Sequence, residues 1–321
     1  VAAGVSDRQL VCSTSPVRPV SPTDAGRTNC LMGHVVPTLQ VIGCMKCGTT
    51  TLHKELLARV GGSLDTGRPL PGENWMKKKE KHFFDRNASY ARGMRWYLSH
   101  YPKCTGRVVA TDVTPAYART AAVPERMWKS FGSLASSVTL VCLLRNPVAR
   151  LYSNYFHLKR CCLGDTTFED WVDTQIGQAN VCLEQHRQPW PSCGEQGLFS
   201  GLYAAQMEGF LRYFCGSQLL LVPFRGLISD ANAVMREILG HVGITRARGI
   251  SFDGEKQVAV METNGRTPKD QPMGAVVRQR LETFYHPFNQ DLIQLARDYP
   301  AIRVLPSLDS LREELGGSLA S

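Results

Sequence analysis

Short apolar runs at 39–42, 108–112, 138–144 and 219–222 punctuate the chain. The runs at 39–42 and 219–222 are continuous rather than alternating, as in a parallel strand buried on both faces. Between the runs lie segments of helical spacing. Residues 49–60 place Leu52, Leu56 and Leu57 on one face, with Lys54, Glu55 and Arg59 elsewhere. Residues 92–101 supply Met94, Trp96, Tyr97 and Leu98 as packing groups, and 123–131 reads as a further helix. Pro147 opens the next one, in the first turn where its missing N–H is not needed. Thr166-Thr167-Phe168-Glu169 is a capping box that starts a helix near Thr167. A stripe of Tyr203, Met207, Phe210, Leu211 and Phe214 follows Gly197, and Asp230 and Gly243 bracket a helix over 231–241. Strand alternating with helix predicts an α/β fold, a central mostly parallel sheet with helices on both faces and right-handed crossovers. Ligands of such sheets bind at the carboxyl ends of the strands.

Residues 1–36 carry Ser, Thr, Pro and Gly with little periodicity and read as a tail or stem; 37–321 form one domain. Residues 61–76 are polar and loop-like. A small hairpin is expected over 251–261 around Asp253-Gly254. There are no internal repeats, and no run is long and apolar enough to span a bilayer.

The run at 39–42 leads into Gly43-Cys44-Met45-Lys46-Cys47-Gly48-Thr49-Thr50 and then a helix. Strand, glycine-bearing turn and helix make a phosphate cradle, because loop N–H groups and the helix N-terminus converge on one spot. An ATP-type loop carries lysine directly after its last glycine, with a hydroxyl for magnesium. Here Lys46 precedes Gly48, so the magnesium arrangement is missing and an anionic nucleotide used without metal is expected. The plainer alternative is an ordinary strand–helix turn.

Lys46-Cys47-Gly48-Thr49-Thr50 resembles the 5′-phosphosulfate loop of the sulfotransferases, which use 3′-phosphoadenosine 5′-phosphosulfate (PAPS) and release PAP. The second half of that signature is present in Arg145-Asn146-Pro147, Arg150 and Ser153. The resemblance implies that Arg145 and Ser153 meet the 3′-phosphate, with a guanidinium fork and a hydroxyl suited to a dianion. Lys79-Glu80-Lys81-His82-Phe83-Phe84-Asp85 resembles the Lys-Glu-Pro-His-Phe-Phe-Asp segment of heparan sulfate 3-O-sulfotransferases. It implies Glu80 as catalytic base, with Lys46 stabilising the leaving phosphate. His82 is placed to orient Glu80 or contact sulfate. Lys79, Lys81 and Asp85 fall on the substrate side, and the lysines near Glu80 favour its ionised form.

Thr114-Pro115-Ala116-Tyr117 is similar to that family's Lys-Thr-Pro-x-Tyr substrate loop, but Val113 stands where it carries lysine. Gly265, Arg266 and Thr267 resemble its Lys-Gly-Arg loop over the nucleotide, with Asn264 in place of the lysine. Residues 276–289 resemble the ending of Golgi carbohydrate sulfotransferases. Together with the cysteines at 182 and 193 and with Cys47, that ending resembles the N-acetylgalactosamine 4-sulfate 6-O-sulfotransferase branch most. The reaction implied is transfer of a sulfuryl group to a carbohydrate hydroxyl, glycosaminoglycan-like or otherwise polysaccharide. A small hydroxylated acceptor, a P-loop kinase and a non-catalytic glycan-binding protein on this fold are the alternatives.

Net charge is +9, from 37 basic and 28 acidic residues, which suits a polyanionic partner. No zinc-finger spacing, Arg-rich helix or RNA-binding signature is written, so nucleic acid is not expected as partner. Eleven cysteines fit an oxidising compartment. Cys182 and Cys193 bracket Pro189-Trp190-Pro191 and are expected to pair. Zinc held by Cys161, Cys162, Cys182 and Cys193 is the weaker alternative, because adjacent cysteines are poor tetrahedral ligands. Cys12 and Cys30 can tie the tail to each other or to the body. Cys44 and Cys47 have redox-type spacing beside a loop where packing explains them better. Asn87-Ala88-Ser89 is a glycosylation acceptor in a secretory protein. The expected setting is the Golgi lumen, as the luminal part of a type II membrane protein whose anchor lies outside this chain.

Overall fold

A computed structural model describes residues 29–53, 60–74, 79–104, 108–186, 190–244 and 272–316. Its strands are β1 (Cys30–Leu31), β2 (His34–Val35), β3 (Leu39–Gly43), β4 (Leu64–Asp65), β5 (Val109–Val113), β6 (Thr139–Leu144), β7 (Leu219–Pro223) and β8 (Arg303–Val304). In its first half the helices are α1 (Thr49–Thr51), α2 (Asn87–Tyr90), α3 (Gly93–Leu98), α4 (Val123–Phe131), α5 (Pro147–Lys159) and α6 (Phe168–Gln185). In its second half they are α7 (Tyr203–Leu211), α8 (Phe224–Ser229), α9 (Ala231–His241), α10 (Ala275–Asp298) and α11 (Leu308–Glu314).

Six strands form one parallel sheet in the order β4-β5-β3-β6-β7-β8. Every residue of β3, β6 and β7 is buried. Successive side chains point to opposite sides, so both faces of the sheet are covered. After β3 the chain goes to the β4–β5 side, and after β6 to the β7–β8 side. The crevice between those diverging connections is where a doubly wound sheet holds its ligand.

Most expected elements form within a residue or two. Differences follow from local physics. Thr167, not Thr166, caps α6, its hydroxyl accepting from Asp170 N, so the cap lies one residue later than the expected box. The stripe after Gly197 begins with a 3-10 turn over Gly197–Gly201, and the α-helix starts only at Tyr203. A Cβ on Gly201 would come within 2.8 Å of the Tyr285 ring, so this turn packs too closely for a side chain. The helix expected over 49–60 is α-helical at Thr49–Thr51, and residues 54–59 lie outside the described part. So do the hairpin expected at 251–261 and the loop at 264–268. Two-residue strands β4 and β8 carry too little pattern to be predicted. α10 runs through Pro287, which costs one backbone hydrogen bond.

The last residues of the expected tail form a two-stranded hairpin, β1 with β2. A Cys30–Cys104 disulfide ties it to the body. Cys182 pairs with Cys193 as expected, and Cys161 pairs with Cys162, which leaves no thiolate there for zinc. Among the described residues no helix is long and apolar enough to cross a membrane.

The closest approach in the sheet is at the end of β3. A Cβ on Gly43 would stand 2.5 Å from Ala118 Cβ. Gly43→Ala is therefore expected to destabilise the fold by about 1–3 kcal/mol, the usual cost of overpacking. Thermal melting checks it, and an unchanged Tm would show that the segment around Ala118 yields freely.

Candidate functional site

The turn after β3 bends through two left-handed residues, Lys46 (φ 69°) and Gly48 (φ 90°). A Cβ on Gly48 would sit 2.9 Å from the Phe224 ring, so glycine is required twice over, by backbone and by space. Cys44 N donates to Leu143 O at 2.8 Å, which pins the turn across the end of β6. α1 then begins at Thr49, and its first N–H groups have no partner within the helix. Cys47 is buried, with Sγ 3.8 Å from Tyr203 Oη, and Cys44 Sγ lies 3.2 Å from Cys142 Sγ. All three are free thiols, and burial first of all pushes the Cys44 and Cys47 pKa values up. The pair at 44 and 47 packs here as small apolar groups.

Arg145 leaves β6 on the opposite side of the crevice. Its Nη1 donates to the Lys46 carbonyl at 3.3 Å, and its guanidinium lies 5.1 Å from the Phe224 ring centre. Tyr203 Oη donates to the Arg145 carbonyl at 2.8 Å. Asn146 caps α5, its Oδ1 accepting from Val148 N and Ala149 N. Two turns along, Ser153 is buried and its Oγ has no hydrogen-bond partner. Arg150 is also buried; its Nη2 donates to Gly197 O at 2.6 Å while its Nε has no acceptor. Buried polar atoms without a partner are uncommon, and this one helix carries two, Ser153 Oγ and Arg150 Nε.

The segment at 79–85 closes the third side. Lys79 Nζ donates to Thr50 Oγ1 at 3.2 Å, to Thr49 Oγ1 at 3.5 Å and to Glu80 Oε1 at 2.6 Å. The other oxygen, Glu80 Oε2, lies 3.2 Å from His82 Nε2, and His82 Nδ1 lies 2.7 Å from Asp85 Oδ2. Burial alone raises Glu80, but the His82 hydrogen bond and the Lys79 charge outweigh it and hold the carboxyl at about 2. Burial likewise lowers His82, and its bonds to Asp85 and Glu80 outweigh that and raise it. The arrangement is a carboxylate fixed at both oxygens, one by a cation shared with the loop threonines and one by an imidazole.

Buried Asp112, at the end of β5, organises this segment from beneath. It accepts from Thr114 Oγ1 at 2.7 Å, Tyr97 Oη at 2.8 Å and Tyr117 Oη at 2.9 Å. Thr114 Oγ1 in turn accepts from Lys81 N at 3.0 Å, and Tyr117 Oη from Phe83 N at 3.1 Å. These two N–H groups flank His82, whose own φ is +50°. Thr114 and Tyr117, expected to face substrate, are buried and act as the hooks of this clamp. Lys81, expected on the substrate side, is also buried, 5.6 Å from the Tyr101 ring centre and within electrostatic reach of Asp112. Its apolar and carboxylate surroundings draw it inward. Hydrogen bonds join Arg145 to Lys46, and Lys79 to Thr49, Thr50 and Glu80, with His82 and Asp85 continuing from Glu80, while Ser153 is buried on α5. Gly265, Arg266 and Thr267 lie outside the described residues. Asn87 is exposed at the start of α2, its Oδ1 accepting from Arg126 Nη2. Among the described residues no cluster of three or more His, Cys, Asp or Glu could hold a metal.

Sequence reasoning missed Asp112 and Glu314. Glu314 of α11 accepts from Asn146 N and Arg225 N, each at 2.7 Å, and so ties the ends of β6 and β7 together. No local pattern announces a carboxylate that acts 168 residues away.

The sulfotransferase domain family matches residues 37–274. The chain is 27% identical over 277 residues to the bifunctional heparan sulfate N-deacetylase/N-sulfotransferase 4 of Mus musculus, covering 81% of this chain and 30% of that protein. It is 27% identical over 233 residues to the heparan sulfate glucosamine 3-O-sulfotransferase 6 of Homo sapiens, covering 67% of this chain and 62% of that one. It thus spans less than two thirds of either relative. The solved sulfotransferase from Alicyclobacillus acidocaldarius superposes with a TM-score of 0.58 at 20% identity, over 87% of this chain and 99% of that one, which bears on the fold.

Tyr117→Phe leaves Phe83 N–H without its acceptor and Asp112 without one donor. It is expected to cost about 1–2 kcal/mol of stability. It should also loosen Glu80 and His82 while leaving nucleotide affinity within about twofold, a difference small on the 1.4 kcal/mol-per-decade scale. Melting and PAP titration check both halves; a large loss of PAP affinity would place Tyr117 on the donor side instead.

Proposed function

The chain belongs to the sulfotransferase family, and from that premise we propose that it moves the sulfuryl group of PAPS to a carbohydrate hydroxyl, with Glu80 as base. The acceptor is a glycosaminoglycan-like or other polysaccharide chain, and the setting is the Golgi lumen, with Asn87 available for glycosylation. The observation that carries this reading is the position of Lys79, which joins the loop threonines to Glu80, a carboxylate held at one oxygen by lysine and at the other by histidine.

The residues present suit PAPS: a left-handed turn of backbone donors with Lys46 at one end, and Arg145 with an unpartnered Ser153 hydroxyl at the other. Bound there, PAPS supplies an activated sulfuryl group and a good leaving phosphate. Lys46 and the N–H groups of Gly48, Thr49 and Thr50 hold the 5′-phosphate and stabilise charge building on it. Arg145 and Ser153 hold the 3′-phosphate. Glu80 takes the proton of the attacking hydroxyl. His82, braced by Asp85, keeps the Glu80 carboxylate aimed. No residue role here calls for a metal.

A carboxyl held at about 2 is a weak base. Lys79 resolves this, because an anion in the loop competes with Glu80 for the same ammonium. As the lysine turns to that anion, Glu80 loses its nearest cation and becomes a stronger base. Donor binding and base strength are coupled through one side chain.

The direct test is PAPS-dependent sulfation of glycan acceptors by the full chain. Glu80→Gln should lower kcat by roughly a hundredfold or more, the usual worth of a positioned base, with PAP affinity unchanged in calorimetry. Full turnover in Glu80→Gln would remove it as base, and failure of the wild type to bind PAP would remove the donor assignment.

Lys79→Met deletes one of the two groups that lower Glu80 and leaves the His82 hydrogen bond, so the carboxyl rises part of the way towards its ordinary value. The acid limb of kcat/KM against pH should therefore move to higher pH, and donor affinity should fall. A limb that stays in place would show that Lys79 does not govern the base.

A further inference from the structure

The match to the sulfotransferase family ends at residue 274, and α11 lies beyond it. α11 nevertheless packs against β7 and α8. Its position is fixed at both ends. Ser307 Oγ accepts from Ser310 N at 3.2 Å at its start, and Leu315 O accepts from Asn289 Nδ2 of α10 at 3.0 Å just past its end. Leu311 and Leu315 are buried, so packing holds the last turn as well. That turn carries Glu314, a glutamate only 2% exposed. A carboxylate so deeply buried is tolerated only where donors replace its water.

Both of its oxygens are used, and they reach two different segments. Oε1 accepts from Asn146 N and Oε2 from Arg225 N, each at 2.7 Å. These N–H groups stand at the starts of α5 and α8, where a helix leaves its own donors without partners. Asn146 directly follows Arg145, and Arg225 directly follows Phe224. The Arg145 guanidinium lies 5.1 Å from the Phe224 ring centre. The same ring backs the phosphate turn, where a Cβ on Gly48 would come within 2.9 Å of it. One carboxylate therefore ties the backbone under the arginine to the backbone under the ring it rests on. Its charge is also within electrostatic reach of both Arg145 and Arg225. A planar guanidinium fork grips an oxyanion well only when it is pre-set, and that depends on the groups holding it.

We propose that Glu314 is a positioning residue for the donor: by bracing the backbone after Arg145 and after Phe224, it holds the Arg145 guanidinium where the 3′-phosphate is gripped. α11 is then part of the donor site without touching the nucleotide. The proposal rests on the donor assignment made above and adds to it a residue outside every motif of the sequence.

Calorimetry on the full chain tests it, with PAP and with adenosine 5′-phosphate, which lacks the 3′-phosphate. Glu314→Gln turns one accepting oxygen into an amide NH2 that faces an N–H donor. PAP should then bind about tenfold more weakly, the worth of a charge-assisted hydrogen bond, while adenosine 5′-phosphate stays within about twofold. In an Arg145→Met background, where PAP affinity is already reduced, Glu314→Gln should cost nothing further, because both changes act on one guanidinium. Glu314→Asp keeps the charge but draws the carboxylate back by one carbon. It should lose PAP affinity with adenosine 5′-phosphate spared, and it carries the test if the Gln variant does not fold. Equal losses for the two nucleotides would show a purely structural role and overturn the proposal. Additive losses in the double variant, or unchanged PAP affinity in Glu314→Gln, would overturn it too. A wild type that binds PAP no better than adenosine 5′-phosphate fails the assignment of Arg145 and Ser153 to the 3′-phosphate instead, and that is read before any variant is made.

Discussion

The sheet imposes one constraint from which the rest follows. Parallel strands all point their carboxyl ends the same way, and the connections after β3 and β6 depart in opposite directions. Nothing of the sheet can then cover the gap between those two strand ends. Into that gap the chain puts a turn that only a left-handed lysine and glycine can make, and an arginine that reaches back to the lysine's carbonyl. β3 and β6 are buried on both faces, so packing holds the two strand ends from either side. Glu314 adds a brace from the far end of the chain by accepting N–H groups after both β6 and β7.

Charge in the crevice is arranged in pairs rather than as a basic surface. Glu80 is clasped by Lys79 and His82, and His82 by Asp85. Asp112 lies one layer below, buried, holding three hydroxyls and facing Lys81. A buried carboxylate is tolerated only when such donors replace its water. Here two of the donors also take up backbone N–H groups, so the cost of burying Asp112 is offset by fixing the loop that carries the base. The net basic balance of the chain is thus not simply spread on its exterior: Lys81 and Arg150 are buried among partners.

Legibility varied with the range over which each feature acts. The turn after β3, Arg145 and the segment at 79–85 stand out in the sequence because each is a contiguous stretch with its own chemistry. Pairing of Cys182 with Cys193 was readable because a short stretch of chain, rich in proline near its end, separates them. Lys81, Thr114 and Tyr117 were misplaced on the acceptor side because a residue's type does not say which way it faces. A lysine between glutamate and histidine looks exposed until the strand beneath it proves to end in an aspartate. The helix cap shifted by one because adjacent threonines compete for the same role, and Asp170 completes the later one.

The sequence by itself determined the alternation of strand and helix, the buried character of the sheet and the identity of the groups that can grip an anion, because these depend on neighbours a few positions apart. Tertiary structure decided which of those groups share a crevice, which turn inward, and which distant side chains hold them there. Asp112 and Glu314 take their roles from tertiary contacts, where hydrogen-bond reach is a few ångströms in space and unrelated to distance along the chain.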